Sequence, residues 1–206
     1  MIEQVKILII DDNFTSNDPL IITLKEKLGN DNVILKTSSS EGQQYIIEHL
    51  SSKLIVLLDL NFGSGEPSGI EVFEEIRKKT SLIYFIIMTA NPLSSIPQKD
   101  FVELVNNNAM AFIENSTDIK EMVVLVEKAL HQLDTRVDCV LEQWISKRAD
   151  GEREKPYLTT RSGATYTLND LIVEIRKGTE LGKRMEKGIV QLAIDILTKG
   201  EEKIND

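Results

Sequence analysis

Four side chains draw attention because each closes an apolar run. Asp11 and Asp12 follow Val5–Ile10, Asp59 follows Leu54–Leu58, and Thr89 follows Ile83–Met88. Carboxylates that share a small volume repel one another, and a proton or a cation relieves the repulsion. Donor sets made only of oxygen favour Mg2+, which keeps several of its waters. A carboxylate beside such an ion can act as a nucleophile toward an incoming phosphoryl group and become an acyl phosphate.

That chemistry needs an element pattern that brings these positions to one place. The β-branched run Val5–Ile10 reads as a strand buried on both faces. Asp18-Pro19 starts a helix that ends near Gly29, because proline suits the first helical position. Val33–Thr37 reads as a second strand, and Ser40 as the cap of a helix reaching Leu50. After the third strand, the glycines and proline of Asn61–Ser68 require a loop, and Ser68 caps a helix to about Lys79. A helix around Gln98–Val105 and a strand at Met110–Ile113 complete five strand–helix alternations. Alternation of this kind implies a parallel sheet with right-handed crossovers and helices on both faces. Ligands of such sheets sit at the carboxyl ends of the strands, where the acids and Thr89 fall.

The blocks VKILIIDDN, LIVLLDLN and FIIMTAN resemble the signature segments of response-regulator receiver domains, over about residues 4–118. Two acids after an apolar strand are common in α/β proteins, so the joint pattern carries the likeness. The resemblance implies a flavodoxin-like, doubly wound α/β fold with five parallel strands in the order 2-1-3-4-5. It makes Asp59 the phosphoacceptor, with Asp12 a direct Mg2+ ligand, Asp11 a ligand through water and Asn61 a ligand through its carbonyl. Thr89 would donate its hydroxyl to the phosphoryl group, Phe112 would be the switch aromatic, and Asn61 and Asn91 would set the lifetime of the phosphate. The implied function is a two-component response regulator, phosphorylated by a histidine kinase or phosphotransfer protein. The chemistry would be self-catalysed transfer and slow autodephosphorylation rather than conventional enzyme turnover. One departure matters: the family has a lysine after strand five, usually followed by proline, where this chain has Asn115 and Ser116. A neutral donor makes a contact about half as strong as a charge-assisted one. A pseudo-receiver that acts as an interaction module without phosphorylation is therefore the competing reading.

The division expected is 1–118 for the receiver, 119–148 for an extended signalling or dimerisation helix, and 149–206 for a small, mainly helical output or interaction region. Val123, Val126, Leu130, Leu133, Val137, Val140 and Trp144 recur at spacings of three and four, a heptad stripe that predicts a coiled-coil homodimer through residues 123–144. ADGEREKP reads as a linker. Tyr157–Thr160 and Ala164–Thr167 flank a tight turn, Thr167 and Asp170 form a capping-box pair, and Gly178 separates two last helices. A DNA-binding helix-turn-helix there is not favoured, because TELGKRMEKGIVQLAIDIL turns apolar after Gly188 and so points to burial. The net charge of −9 lies wholly in residues 1–150, which disfavours nucleic acid as a partner of that part. The lone Cys139 rules out a disulfide within the chain, and the apolar run at the N-terminus is too short for a membrane span. A cytoplasmic protein without membrane contact is the expectation.

Overall fold

Backbone placement follows the apolar runs. The computed structural model describes residues 4–80, 83–106, 109–114, 117–161 and 163–201; Asn115 and Ser116 lie outside the described residues. Strands β1 (Lys6–Ile10), β2 (Val33–Lys36), β3 (Leu54–Asp59), β4 (Tyr84–Thr89) and β5 (Ala109–Glu114) form one sheet in the order β2-β1-β3-β4-β5. Every pairing in it is parallel. All six residues of β3 are buried, as a central strand covered on both faces must be. Connecting helices are α1 (Pro19–Leu28), α2 (Ser39–Glu48), α3 (Gly69–Arg77) and α4 (Gln98–Asn106), and α5 (Ile119–Asp134) follows β5. This is the doubly wound α/β fold expected from the sequence.

Helix starts obey local chemistry, with one shift. Pro19 opens α1. Ser68 and Glu71 close a reciprocal capping box at α3. Ser38, rather than Ser40, caps α2: it is extended, and its Oγ accepts from the Glu41 N–H at 3.2 Å. Gly69 is obligatory for a steric reason. A Cβ there would stand 2.0 Å from the carbonyl oxygen of Asp59.

The chain divides into two compact units, one ending at Thr135 and the other starting at Arg136. The boundary falls inside the segment expected to be one helix over 119–148. Thr135 ends α5, with its N–H bonded back to the carbonyls of Gln132 and Leu133 and its Oγ1 to the Gln132 carbonyl at 2.8 Å. Arg136 is extended, and α6 (Val137–Ser146) begins after it. A hydroxyl competing for a backbone carbonyl, followed by an extended residue, interrupts the helical ladder. The heptad seam breaks with it. Val123, Val126 and Leu133 are buried within the first unit and have no free face for a second chain. In α6 the phase changes: Asp138, Cys139, Glu142 and Ile145 are buried, while Val140 and Trp144 are exposed. The single helix expected over 119–148, and with it an unbroken heptad seam through 123–144, is therefore not what these residues form.

In the second unit, a one-turn helix α7 (Asp150–Arg153) occupies the stretch expected to be a linker. β6 (Leu158–Thr159) and β7 (Thr165–Tyr166) make the expected hairpin. Helix α8 (Leu168–Lys177) opens with the Thr167–Asp170 capping box and ends at Gly178 with φ 64°. Helix α9 (Glu180–Glu201) starts hard against the end of α8, where a Cβ on Gly182 would lie 2.1 Å from the Glu174 carbonyl oxygen. Ile145, Leu168 and Ile172 form a small core with Leu141. Beside it, Arg176, 4% exposed, donates from Nε to Asp138 at 2.9 Å and from Nη2 to Glu142 at 3.1 Å. Arg136 grips the same Asp138 with two nitrogens, at 2.9 and 2.8 Å. Burial works to raise the Asp138 pKa, but Arg136 and then Arg176 outweigh it and hold the carboxyl below its usual range. The apolar half of α9 does not bury as expected: Leu192, Ile196 and Leu197 all lie open.

Removing one member of a buried charge network leaves its partners uncompensated, at a cost of roughly 3 kcal/mol or more. Arg176→Ala is expected to destabilise the second unit by about that amount. The only tryptophan, Trp144, lies in α6, so its fluorescence in a urea titration reads that unit. An unchanged midpoint would mean that the network adds nothing to stability.

Candidate functional site

The sheet register brings the sequence candidates to one edge. Ile10 lies opposite Leu58, Asp59 opposite Met88, and Thr89 opposite Glu114. Carboxylate oxygens of Asp11, Asp12 and Asp59 all lie within 4.8 Å of one another. Asp11 and Asp59 are 7% and 5% exposed, while Asp12 is exposed. Asp11 and Asp59 line a cavity of about 290 Å³, together with Asn13, Phe14, Met88, Thr89, Ala90, Ile113, Glu114 and Met122.

Hydrogen bonds orient the acids. The Asn13 backbone N–H donates to Asp11 Oδ1 at 2.8 Å, and its amide to Asp12 Oδ1 at 2.7 Å. Leu60 N–H donates to Asp59 Oδ1 at 2.8 Å. These bonds do not neutralise the cluster. Burial first, and then the charge of Asp11, push the Asp59 pKa up to about 6, against the partial relief from the Asn61 and Leu60 N–H groups. Asp11 is also raised, again chiefly by burial. Among the described residues, no ion pair involves Asp11, Asp12 or Asp59.

Such a donor set suits a small divalent cation. It is all oxygen, carries excess negative charge and meets water at the exposed Asp12. Two direct ligands of one magnesium ion stand at most about 4.2 Å apart, so the 4.8 Å envelope suits a mixture of direct and water-mediated ligands.

Thr89 is 4% exposed and lines the cavity. Its Oγ1 is engaged locally, accepting from the Asn91 N–H at 3.1 Å and donating to the Asn91 carbonyl at 3.2 Å. Asn61 is exposed at the end of β3, with its N–H directed at Asp59. Phe112 is half-buried opposite Ile87, and its ring meets Phe101 at 5.5 Å. Asn115 lies outside the described residues.

Two contributors escaped the sequence reading. Glu114, at the end of β5, adds another acid to the cavity wall. Glu66 pins the loop between β3 and α3 to the start of α2. Its carboxylate accepts from Ser38 Oγ at 2.9 Å, Ser39 Oγ at 3.0 Å and the Ser40 N–H at 2.9 Å. The Ser40 N–H and the serine hydroxyls hold the Glu66 pKa down at about 2. No short-range pattern announces a bond across 26 positions of sequence; only three consecutive serines at a helix start hint at an acceptor.

No protein-family model matches the chain, and no curated protein does. Solved structures do. A response regulator receiver domain protein (CheY-like) from Methanospirillum hungatei JF-1 is 19% identical, with a TM-score of 0.50, covering 64% of this chain and 97% of that one. A two-component system response regulator/GGDEF domain protein is also 19% identical, with a TM-score of 0.52, covering 64% of this chain but 51% of that one. The fold is thus that of response-regulator receiver domains, and the match spans about half of the longer protein.

The raised Asp59 pKa has a thermodynamic sign. Between about pH 4, the unfolded value, and about pH 6, the folded state binds more protons, so Asp59 lowers stability as pH rises through that window. Without divalent cation, Asp59→Asn is therefore expected to match the parent near pH 4 and to exceed it by about 2–3 kcal/mol near pH 7. Millimolar Mg2+ should narrow that gap by stabilising the parent. Urea titrations at the two pH values measure it, and a gap independent of both pH and Mg2+ would refute the electrostatic account.

Proposed function

We propose that the first unit is a phosphorylation-dependent receiver of a two-component system, with Asp59 as the phosphoacceptor and a histidine kinase or phosphotransfer protein as donor. One observation supports this above the others: a buried, charge-crowded carboxylate shares a cavity with a hydroxyl at the carboxyl edge of a parallel sheet. Asp12 would hold Mg2+ directly, Asp11 through water and Asn61 by its backbone carbonyl. The ion supplies neutralising charge for in-line phosphoryl transfer.

The chain's own residues have separable tasks. A carboxylate oxygen of Asp59 forms the new O–P bond as the donor's N–P bond breaks, and the departing imidazole takes the electron pair. Leu60 N–H holds the other end of the carboxylate in place. Thr89 must rotate its hydroxyl away from Asn91 to reach a phosphoryl oxygen. That exchange would alter the loop after β4, and Phe112, whose ring meets Phe101, would follow it. A switch of this kind biases two conformations rather than creating one.

Asn115 in place of lysine supports a second reading, a module with this fold that interacts without being phosphorylated. Incubation with acetyl phosphate and Mg2+ separates the two. The first reading requires a mass gain of one phosphoryl group that is hydroxylamine-labile, absent in Asp59→Asn and suppressed by chelator. Thr89→Ala should still label, about 100- to 1,000-fold more slowly, as expected when one transition-state donor is lost. No labelling of the parent, with beryllofluoride bound but nothing altered, would support the module instead.

A further inference from the structure

The loop between β3 and α3 carries Asn61, and its middle is loosely packed. Nothing stands within 4 Å of where a Cβ would be on Gly63 or Gly65. Gly65 takes φ 97°, a conformation that glycine adopts without steric cost. At the base of the loop the Gly69 N–H donates to the Leu60 carbonyl at 3.1 Å, and Phe62 rests against the core. Past the two glycines, the chain is fixed through Glu66 and Pro67.

The Glu66 carboxylate uses both of its oxygens. Oε1 accepts from Ser38 Oγ at 2.9 Å. Oε2 accepts from the Ser40 N–H at 2.9 Å and stands 3.0 Å from Ser39 Oγ. Ser39 is fully buried, and its Oγ also stands 2.6 Å from the Pro67 carbonyl oxygen. Bonds to an ionised acceptor are about twice as strong as neutral ones. The Ser40 N–H belongs to the first turn of α2, where negative charge is favoured.

The far side of this latch is tied to the other acids. Lys36 ends β2 just before the serines, and its carbonyl accepts the Asp11 N–H at 3.0 Å. Within α2, a Cβ on Gly42 would stand 2.5 Å from Ile10 Cδ1, so the helix is seated directly against the residue before Asp11. Glu66 therefore joins two segments outside the sheet. One bears Asp11 and Asp12; the other bears Asp59 and Asn61. A cation shared by both is held only as well as their separation is fixed. We infer that Glu66 is a positioning residue for the cation site, keeping the Asn61 loop at the separation from Asp11 and Asp12 that one divalent ion can bridge. The inference rests on the receiver reading for the role of the Asn61 carbonyl, and names what holds that carbonyl in place.

Calorimetric titration of the full chain with Mg2+ tests it. Groups that orient ligands without touching the metal change affinity by about 10- to 100-fold, so Glu66→Ala should bind Mg2+ at least about 10-fold more weakly than the parent. Glu66→Gln, which keeps one acceptor oxygen, should fall between them. Loss of a charge also weakens cation binding at a distance, but that part fades with salt. The ratio of parent to Glu66→Ala should therefore persist in about 1 M KCl, where the Debye length is about 3 Å. Amide exchange should quicken over 61–68 and stay unchanged in β1 and β3. Labelling by acetyl phosphate should slow at low Mg2+ and return to the parental rate at saturating Mg2+, because Glu66 touches no reacting atom. Equal Mg2+ affinity in parent and Glu66→Ala would overturn the inference and leave the receiver reading standing. So would a ratio that vanishes in salt, which marks a charge effect only, or exchange that quickens through β1 and β3, which marks a loss of fold. A parent that takes up no Mg2+ at millimolar levels would overturn both.

Discussion

Two carboxylates buried side by side are unfavourable, and the first unit is organised around tolerating that. Asp11 and Asp59 both lose hydration, which raises both pKa values; the Asp11 charge raises Asp59 further, and the charges of Asp12 and Asp18 raise Asp11. Nothing local forces this. It arises because β1 and β3 are adjacent in register and both end at the same height. A flexible chain would let the acids separate, but a sheet in which β3 is buried throughout and β1 is buried from Ile7 to Ile10 cannot. The repulsion is thus stored by hydrophobic packing, which is far larger than the couple of kcal/mol at stake. Any cation or proton that relieves it is bound with part of that stored free energy.

Neighbouring backbone tightens the arrangement. Gly69 lets α3 begin against the Asp59 carbonyl, and its N–H donates to the Leu60 carbonyl at 3.1 Å. Glu66, anchored on the serines before α2, restrains the loop that follows Asp59 and carries Asn61. Opposite, the turn at Thr89 closes on itself through Asn91. One wall of the cavity is therefore fixed by a carboxylate latch. On the other, the Thr89 hydroxyl is engaged by two hydrogen bonds at 3.1 and 3.2 Å, weak enough to be exchanged for a stronger acceptor. Motion, if the site is charged further, belongs to the Thr89 side.

Much of this unit is legible in the sequence because its determinants are local. Apolar runs of five or six residues ending in acids fix the strands, proline and serine fix helix starts, and alternation fixes the parallel topology. Asp11, Asp12, Asp59 and Thr89 come together for the same reason. What escapes a sequence reading depends on long-range choices. Glu66 reaches a helix far away in sequence. The break between α5 and α6 replaces a stripe with good heptad spacing, because Asp138 is held by Arg136 and Arg176 in the second unit, and α6 takes the phase that buries it. Periodicity says that Val140 and Trp144 could share a face with Leu133, not that an ion network would outbid them.

That network also explains why the second unit leaves α9 open. Its core is small, a few residues around Ile145, Leu168 and Ile172, and part of its interior is given to Arg176, Asp138 and Glu142. Buried ion pairs fix geometry more reliably than they stabilise it, since desolvation cancels much of their attraction. A domain of some 70 residues buries too small a fraction of its surface to be comfortably stable and commonly relies on metals, disulfides or association. This chain has one cysteine, buried, so no internal disulfide is available. The apolar surface missing from its interior is displayed along residues 189–197 instead. A sequence reading that assigned those residues to a core was sound about their chemistry, but the described residues of the second unit do not supply the core that would enclose them.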